Sequence, residues 1–464
     1  MNENNKISLI EKISYGSGDF ASSIFWSLFS MFLLFFYTDV FGISAAAAGT
    51  MFLVTRLWDA VNDPLMGMLG DRTKTKWGKF RPYLLFIALP FAIIGVLTFT
   101  TPDLSSSNKL IYAYVTYTLM MMVYTAINVP YASLLGVMTK DSKERTSLAS
   151  FRFLGGFGGG LLVTATANSL IDYFSTDSSM AVGYRNTIAI YAIVAAIFFI
   201  FTFLGTKERL DPEEVEKSSF KDDLKDLLRN KPWFIMLGAT ISILVCSSLK
   251  GNAVLYYFKY YVGSQNVIFF GELEHGALSA AFMTSGQIAS ILGVILAIPI
   301  AGRIGKKNTF LLSGLVCAFL SMLFFFIPPD QIVLMFLINQ FIGMSSSIVF
   351  PLIWSIYGDI SDYSEWKTGR RATGLIFSSS SMSQKLGWTI GGAISGWTLS
   401  AFGFMANEVQ TDESIMGIRL MITFFAAAGA LLSVAFMYYY PLSEKYISEI
   451  KEELEKNRSK TKSK

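Results

Sequence analysis

Histidine and cysteine are almost missing from this chain. One histidine, His275, and two cysteines, Cys246 and Cys317, in 464 residues cannot build an imidazole metal site or a disulfide framework. Charge is scarce as well: 16% of residues are charged, where soluble proteins carry about 25%. With 52% hydrophobic residues and a mean hydropathy of +0.47, that scarcity excludes an ordinary soluble domain and points to a polytopic membrane protein. Catalytic constellations are also missing, with no metal-spaced His/Cys set, no nucleophile elbow and no phosphate loop at a strand end. The run GGFGGG at 155–160 sits in apolar sequence without a preceding strand or a Gly-Lys-Ser/Thr ending, so it reads as close helix packing. Neither an enzyme nor a cofactor is expected. No cleavable signal peptide is expected either, because MNENNKISLIEK is polar and leads directly into a long span.

Apolar sequence is what the chain has in abundance. Spans of roughly 20 apolar residues fall near 13–38, 45–70, 81–101, 109–138, 147–171, 186–206, 233–261, 279–302, 309–327, 331–358, 373–402 and 416–440. They predict an all-α membrane protein with twelve transmembrane helices. Lysine and arginine set the orientation. One side carries Arg72, Lys74, Lys76, Lys79 and Arg81, then Lys140, Lys143 and Arg145. It also carries Arg303, Lys306, Lys307, Lys367, Arg370, Arg371 and the basic tail, whereas the other side has Lys109, Arg185 and Arg419 near helix ends. Both termini are therefore expected in the cytoplasm of a cell whose inner membrane holds the chain. The basic loops lie against the bilayer, where anionic lipid accounts for them better than nucleic acid does.

The charged stretch KERLDPEEVEKSSFKDDLKDLLRNK divides the sequence into a bundle at 1–206, a linker at 207–231, a second bundle at 232–441 and a charged tail at 442–464. Within the linker, apolar residues at 220, 224, 227 and 228 fit a short surface helix over 219–230. The halves echo each other. A basic loop follows the second helix of each (GDRTKTKWGKFRP, AGRIGKKN), and a mixed-charge loop follows the fourth (TKDSKERTS, GDISDYSEWKTGRRATG). Such pairing marks transporters built from structural repeats, with substrate held between the halves.

Polar groups at membrane depth carry the functional signal, since an ionisable residue at the bilayer centre costs at least ~2.5–3.5 kcal/mol. In the second span, Asp59 and Asp63 lie four residues apart and share a helix face, with Asn62 beside them and Arg56 one turn earlier. Two carboxylates and an amide oxygen suit a hard cation or a shared proton. A packing salt bridge from Arg56 to Asp59 is the plainer alternative, but it leaves Asp63 unexplained. Asp19 follows Gly16-Ser17-Gly18 and reads either as a helix N-terminal cap or as a substrate ligand. Tyr124, Thr125 and Asn128 precede Pro130 and read either as interhelical glue or as a binding face. Arg152 begins the fifth span, where snorkelling is its simplest role. Lys385 lies about twelve residues into the eleventh span and calls for a carboxylate partner among Asp19, Asp59 and Asp63. Lys259 can snorkel, while Lys250 is a candidate to line a cavity. Trp354 and Trp388 fit either sugar stacking or helix packing.

The segments YGSGDF (15–20), FYTDVFGIS (36–44), RLWDAVNDPLMG (56–67), KWGKFRPY (76–83), YTAINVPYASL (124–134) and GDISDYSEWKTGRR (358–371) resemble the glycoside–pentoside–hexuronide:cation symporters. These form the melibiose-permease-like branch of the major facilitator superfamily, and the resemblance covers essentially the whole chain. It implies two pseudo-symmetric six-helix bundles and sugar uptake coupled to Na⁺, H⁺ or Li⁺. By motif position it implies a cation site of Asp59, Asp63, Asn62 and Thr125. Asp19 and Arg152 match the sugar-binding carboxylate and guanidinium, Tyr124 lies where the two sites meet, and Lys385 neighbours the cation-site carboxylates. Arg145 with Asp359, Asp362 and Glu365 resembles a cytoplasmic salt-bridge gate.

Departures from that pattern bear on the substrate. Asn128 replaces an aspartate, Ala132 a tryptophan, and Trp26 stands where the motif has a tyrosine. A charge and an aromatic platform are lost, which argues against melibiose and leaves pentosides, other glycosides and hexuronides open. Na⁺ is preferred over H⁺ because Asn62 and Thr125 offer neutral oxygens that a proton does not need. Two other functions stay open: a cation-linked carrier of lysolipid or another amphiphile, and a sugar sensor that does not transport.

Overall fold

The computed structural model describes residues 7–139, 142–175, 179–209, 227, 229–267, 271–368 and 373–462. Its helices follow the predicted order: α1 (Leu9–Met31, continued as Leu33–Phe41 after a 52° bend), α2 (Ala45–Arg72), α3 (Arg81–Phe86 and Ala88–Thr98), α4 (Ser106–Met138), α5 (Ser142–Ser175) and α6 (Met180–Gly205). After the linker come α7 (Lys231–Val262), α8 (His275–Ile304), α9 (Lys306–Phe324), α10 (Ile332–Thr368), α11 (Thr373–Ala401) and α12 (Asp412–Tyr438). A tail helix, α13 (Glu444–Lys462), ends the chain. Among the described residues, eight helices are each long and apolar enough to cross a membrane, and the bent α1 makes a ninth. Together with α2, α3 and α11, they give the twelve-helix major facilitator fold. The surface helix expected at 219–230 lies mostly outside the described residues.

Several expected boundaries shift, and the cause is common to them. Hydropathy finds only the part of a helix that needs lipid, and polar turns extend beyond it. The mixed-charge stretches expected as loops are helical ends: TKDSKERTS runs into the first turns of α5, and GDISDYSEWKT closes α10. Arg152 therefore sits well inside α5 rather than at its start. Likewise α1 begins at Leu9, capped by Ser8 Oγ, which accepts from Glu11 N at 3.2 Å, so Asp19 is not a helix cap. His275 opens α8, and a small antiparallel hairpin precedes it, β1 (Gln265–Val267) with β2 (Gly271–Leu273).

The chain divides into two compact units. The first comprises residues 1–215, 254–284 and 393–415, and the second comprises 216–253, 285–392 and 416–464. In the first, α1 and α7 each end in a π-helical turn, Phe36–Phe41 and Tyr257–Val262. Each turn closes on a glycine with positive φ, Gly42 at 83° and Gly263 at 67°, a conformation that costs glycine little. The aromatic content fills this unit's interior, with Phe25 edge-on to Phe91 at 4.7 Å and Phe36 against Phe99 at 5.0 Å.

Each unit contains the same reciprocal cap. In the first, the Glu208 carboxylate accepts from the backbone N–H of Lys79, Phe80 and Arg81 at 2.8–2.9 Å, where α3 begins. Arg81 returns the favour, with Nη2 donating to the Phe203 carbonyl near the end of α6 at 2.7 Å. In the second, Glu444 accepts from Lys306 N at 2.7 Å where α9 begins, and Lys307 Nζ donates to the carbonyls of Tyr438 and Tyr440 at the end of α12. An anion at a helix start and a cation at a helix end both complement the helix dipole. The repeat visible in the loops is thus also present in the caps.

Candidate functional site

The first unit gathers most of the predicted site, and small residues make this possible. A Cβ on Gly155 would lie 2.0 Å from the Gly16 carbonyl oxygen, and one on Gly16 would lie 2.4 Å from that of Phe151. α1 and α5 therefore touch backbone to backbone, as expected for the glycine run. That approach brings Arg152 to Asp19, with Nε donating to Oδ1 at 3.2 Å. The guanidinium also lies over the Tyr131 ring, 5.3 Å from its centroid. Tyr131 is fixed in turn: its hydroxyl donates to the Tyr15 carbonyl at 2.6 Å, and the two rings stack at 5.0 Å. The ion pair is only half-buried, with Arg152 and Asp19 side chains 35% and 20% exposed, so both charges remain within reach of a ligand.

Along α1, Asp19, Ser23, Trp26 and Ser30 form a half-buried stripe at helical spacing. α4 faces α1 with two residues. Tyr124 lies beside Trp26, ring centroids 6.2 Å apart. Asn128, one turn on, accepts from Ser22 Oγ at 2.6 Å through Oδ1 and donates through Nδ2 to the Tyr124 carbonyl at 2.9 Å. Thr125, buried on the next face, donates to Asp63 Oδ1 at 2.9 Å and so ties α4 to α2. Asn62, next in the chain to Asp63, is buried, and among the described residues its Nδ2 has no hydrogen-bond partner. The Asp59 and Arg56 side chains lie outside the described residues. α4 thus contributes to both predicted sites within one turn, Thr125 to the cation set and Tyr124 and Asn128 to the sugar set.

The second unit holds the remaining predicted residues apart from Arg145. Lys385 is half-buried on α11. Shortly before it on α11, Ser380 and Ser383 are fully buried, and Ser383 Oγ donates to the Ser380 carbonyl at 2.6 Å. Lys250 donates to Asn339 Oδ1 at 2.8 Å, close to the free thiols of Cys246 and Cys317. Of the expected gate, Asp359 pairs with Lys306 and with Lys451 of α13, the latter at 2.9 Å, and Lys451 also lies 3.8 Å from Asp362. Glu365 is half-buried on the same helix end. Arg145, in the first unit, donates to the Thr139 carbonyl at 3.0 Å. The lysine partners of Asp359 were not anticipated, because Lys306 read as a loop charge and Lys451 as part of a solvated tail. Ser22 was missed as well, since a lone serine in a membrane helix carries no signal of its own.

Comparison with known proteins identifies the family. Residues 14–444 match the family described as MFS/sugar transport protein. The chain is 38% identical over 450 residues to the inner membrane symporter YicJ of Escherichia coli, covering 97% of this chain and 95% of that one. It is 36% identical over 444 residues to the isoprimeverose transporter of Lactiplantibacillus pentosus, covering 95% and 90%. Among solved structures, the nucleoside transporter NupG shares the fold with a TM-score of 0.63 at 16% identity, covering 94% of this chain and all of that one.

Proposed function

The chain belongs to the glycoside–pentoside–hexuronide:cation symporter family of the major facilitator superfamily, a family of sugar transporters and not of enzymes, and from that premise we propose that it imports a glycoside together with Na⁺ by alternating access. The observation that carries this proposal is the dual role of α4, in which Thr125 holds Asp63 while Tyr124 and Asn128 face Trp26 and Ser22 of α1. A cation bound by Asp59 and Asp63, with neutral oxygens from Asn62 and Thr125, fixes α4 and with it the sugar face. An empty cation site leaves two like charges in one membrane helix, and that penalty is the coupling free energy between the two ligands. Asp19 accepts from sugar hydroxyls and Arg152 donates to sugar oxygens, while Trp26 and Tyr124 offer apolar ring faces. A half-exposed ion pair suits a polyhydroxylated ligand and serves an amphiphile poorly, which favours a sugar over a lysolipid.

In this reading residues 1–206 and 232–441 are the two bundles, 207–231 the linker and 442–464 the tail. Both termini face the cytoplasm of a bacterial inner membrane. Lys385 neighbours the cation carboxylates, and Arg145 engages Asp359, Asp362 and Glu365 when the cytoplasmic side closes. Counterflow of labelled isoprimeverose, other glycosides and a glucuronide in vesicles, with and without Na⁺, tests the whole. Na⁺-stimulated exchange that is abolished in Asp19→Ala and Asp63→Cys is the expected result. Exchange driven only by a proton gradient overturns the choice of cation, and exchange of no sugar under either cation overturns the symport reading.

A further inference from the structure

Ser22 and Asn128 form a hydrogen-bonded pair across α1 and α4 whose polarity is fixed by chemistry. The Tyr124 carbonyl can only accept, so the Asn128 group 2.9 Å from it is the NH₂. The amide oxygen therefore faces Ser22, and a separation of 2.6 Å between two oxygens holds only if a proton lies between them. Ser22 has one proton and a second acceptor within reach, the Gly18 carbonyl at 3.0 Å, but the shorter contact is with Asn128. Ser22 is 3% exposed, so water does not compete for it, whereas Asn128 is half-buried on the face that holds Trp26, Tyr124 and Asp19. The outcome is a directed amide. Its oxygen is engaged by the protein, one N–H is spent on Tyr124, and the second N–H is the group left to offer a ligand.

We propose that Ser22 is a positioning residue for specificity, one that holds Asn128 as a hydrogen-bond donor and so selects a sugar oxygen that accepts. This rests on the symport reading and adds to it a rule about the ligand. The sugar position facing Asn128 is read as an acceptor, which a hydroxyl, a ring oxygen, a carboxylate or a fluorine satisfies and a bare C–H does not. Without the Ser22 hydroxyl, the amide keeps the Tyr124 carbonyl as its single anchor and loses the contact that holds its oxygen, so the second N–H is less firmly aimed at the ligand.

The test compares wild type, Ser22→Ala, Ser22→Thr, Asn128→Ala and the Ser22→Ala/Asn128→Ala double variant in Na⁺-driven uptake. The competitors are methyl xyloside, methyl glucoside, methyl galactoside and methyl glucuronide, with the monodeoxy and monodeoxyfluoro analogues of whichever is recognised. Loss of one oriented hydrogen bond predicts an apparent KM raised about 5- to 10-fold in Ser22→Ala, with Vmax and the Na⁺ half-saturation unchanged. Ser22→Thr keeps the hydroxyl and restores the KM. In the double variant KM equals that of Asn128→Ala alone, because Ser22 acts through Asn128. At one ring position wild type tolerates fluorine but not hydrogen, and Ser22→Ala weakens that preference. Additive effects of the two substitutions, or a wild-type KM in Ser22→Ala, overturn the proposal. A wild-type protein that takes up none of these glycosides fails the symport reading instead.

Discussion

Asp39 and Lys259 form an ion pair, Nζ to Oδ1 at 2.7 Å, whose carboxylate is completely buried. It joins the π-helical end of α1 to that of α7. Asn407, from the segment between α11 and α12, completes it by accepting from Lys259 Nζ at 2.7 Å and donating through Nδ2 to the Asp39 carbonyl at 2.6 Å. Tyr260 also donates to the carboxylate and accepts from Asn407 N. Asn407 adopts a φ of 61°, which asparagine tolerates better than most residues. Asp39→Ala leaves Lys259 without its counter-charge at a site where the lysine is 17% exposed. Removing one partner of such a pair costs about 3–5 kcal/mol, so the melting temperature in detergent is expected to fall by several degrees. Asp39→Asn keeps an acceptor and is expected to lose less, while Asp39→Leu with Lys259→Met recovers most of the loss. Equal melting temperatures for Asp39→Ala and wild type would show that the pair contributes nothing.

The contrast between Asp39 and Asp19 shows what a sequence can and cannot give. Helix number and order are legible, as are Asp19, Asp63 and Arg152 as polar groups at membrane depth, because a charge in an apolar span is costly and therefore stands out. Ser22, Lys306 and Lys451 were not legible. Their roles arise from partners distant in the chain, and a serine or a loop lysine is unremarkable until its neighbour is known. Asp39 lies in the FYTDVFGIS segment, but Lys259 falls at a helix end, where snorkelling accounts for it without a partner. The helix ends were misjudged for a related reason, since hydropathy measures contact with lipid and not the reach of backbone hydrogen bonds.

Gly156 leaves the space that the Asp19 carboxylate occupies. A Cβ there would lie 2.8 Å from Asp19 Oδ2 and 3.3 Å from Ser23 Oγ, both movable side-chain ends. Gly156→Ala is therefore expected to fold, to push the Asp19 carboxylate aside and to raise the sugar KM about 10-fold, as the loss of a charged hydrogen bond does. Gly155→Ala differs, because its Cβ would meet the Gly16 backbone at 2.0 Å. Backbone cannot yield cheaply, and a stability loss of about 1–3 kcal/mol or more is expected. Thermal melts and uptake kinetics on the two variants separate the cases, and identical behaviour would contradict both assignments.

Lys451 ties the tail helix to Asp359 and Asp362, and its pKa fixes the pH window of that contact. Burial pulls the ammonium down, but the Asp359 hydrogen bond and the charges of Asp359, Asp362 and Glu444 outweigh it, so the net direction is up. A lysine raised on docking contributes fully below its ordinary value of about 10.4 and loses that contribution as pH climbs through the raised one. Docking of α13 is expected to be flat from about pH 6 to 9 and to weaken only in stronger alkali. The effect is modest because the Lys451 side chain is 46% exposed. Limited trypsin cleavage of the tail as a function of pH measures it, with Lys451→Gln expected to be cleaved faster at every pH. A cleavage rate that changes between pH 6 and 9 would assign the contact to another group.

Thr125 distinguishes a sodium ion from a proton at the same carboxylate. Its hydroxyl donates to Asp63 Oδ1 at 2.9 Å, which leaves lone pairs on Oγ available to a cation. Thr125→Val keeps the shape but removes that oxygen along with a hydrogen bond to a charged group, worth about 1.5–3 kcal/mol. For Na⁺ both losses act in one direction, and the half-saturation for sodium is expected to rise at least 10-fold with the sugar KM at saturating Na⁺ little changed. A proton needs no neutral oxygen ligand. If the proton is the coupling ion, sodium will be without effect on uptake by wild type and by Thr125→Val alike. Uptake measured against Na⁺ concentration therefore names the coupling ion from the response to a single substitution.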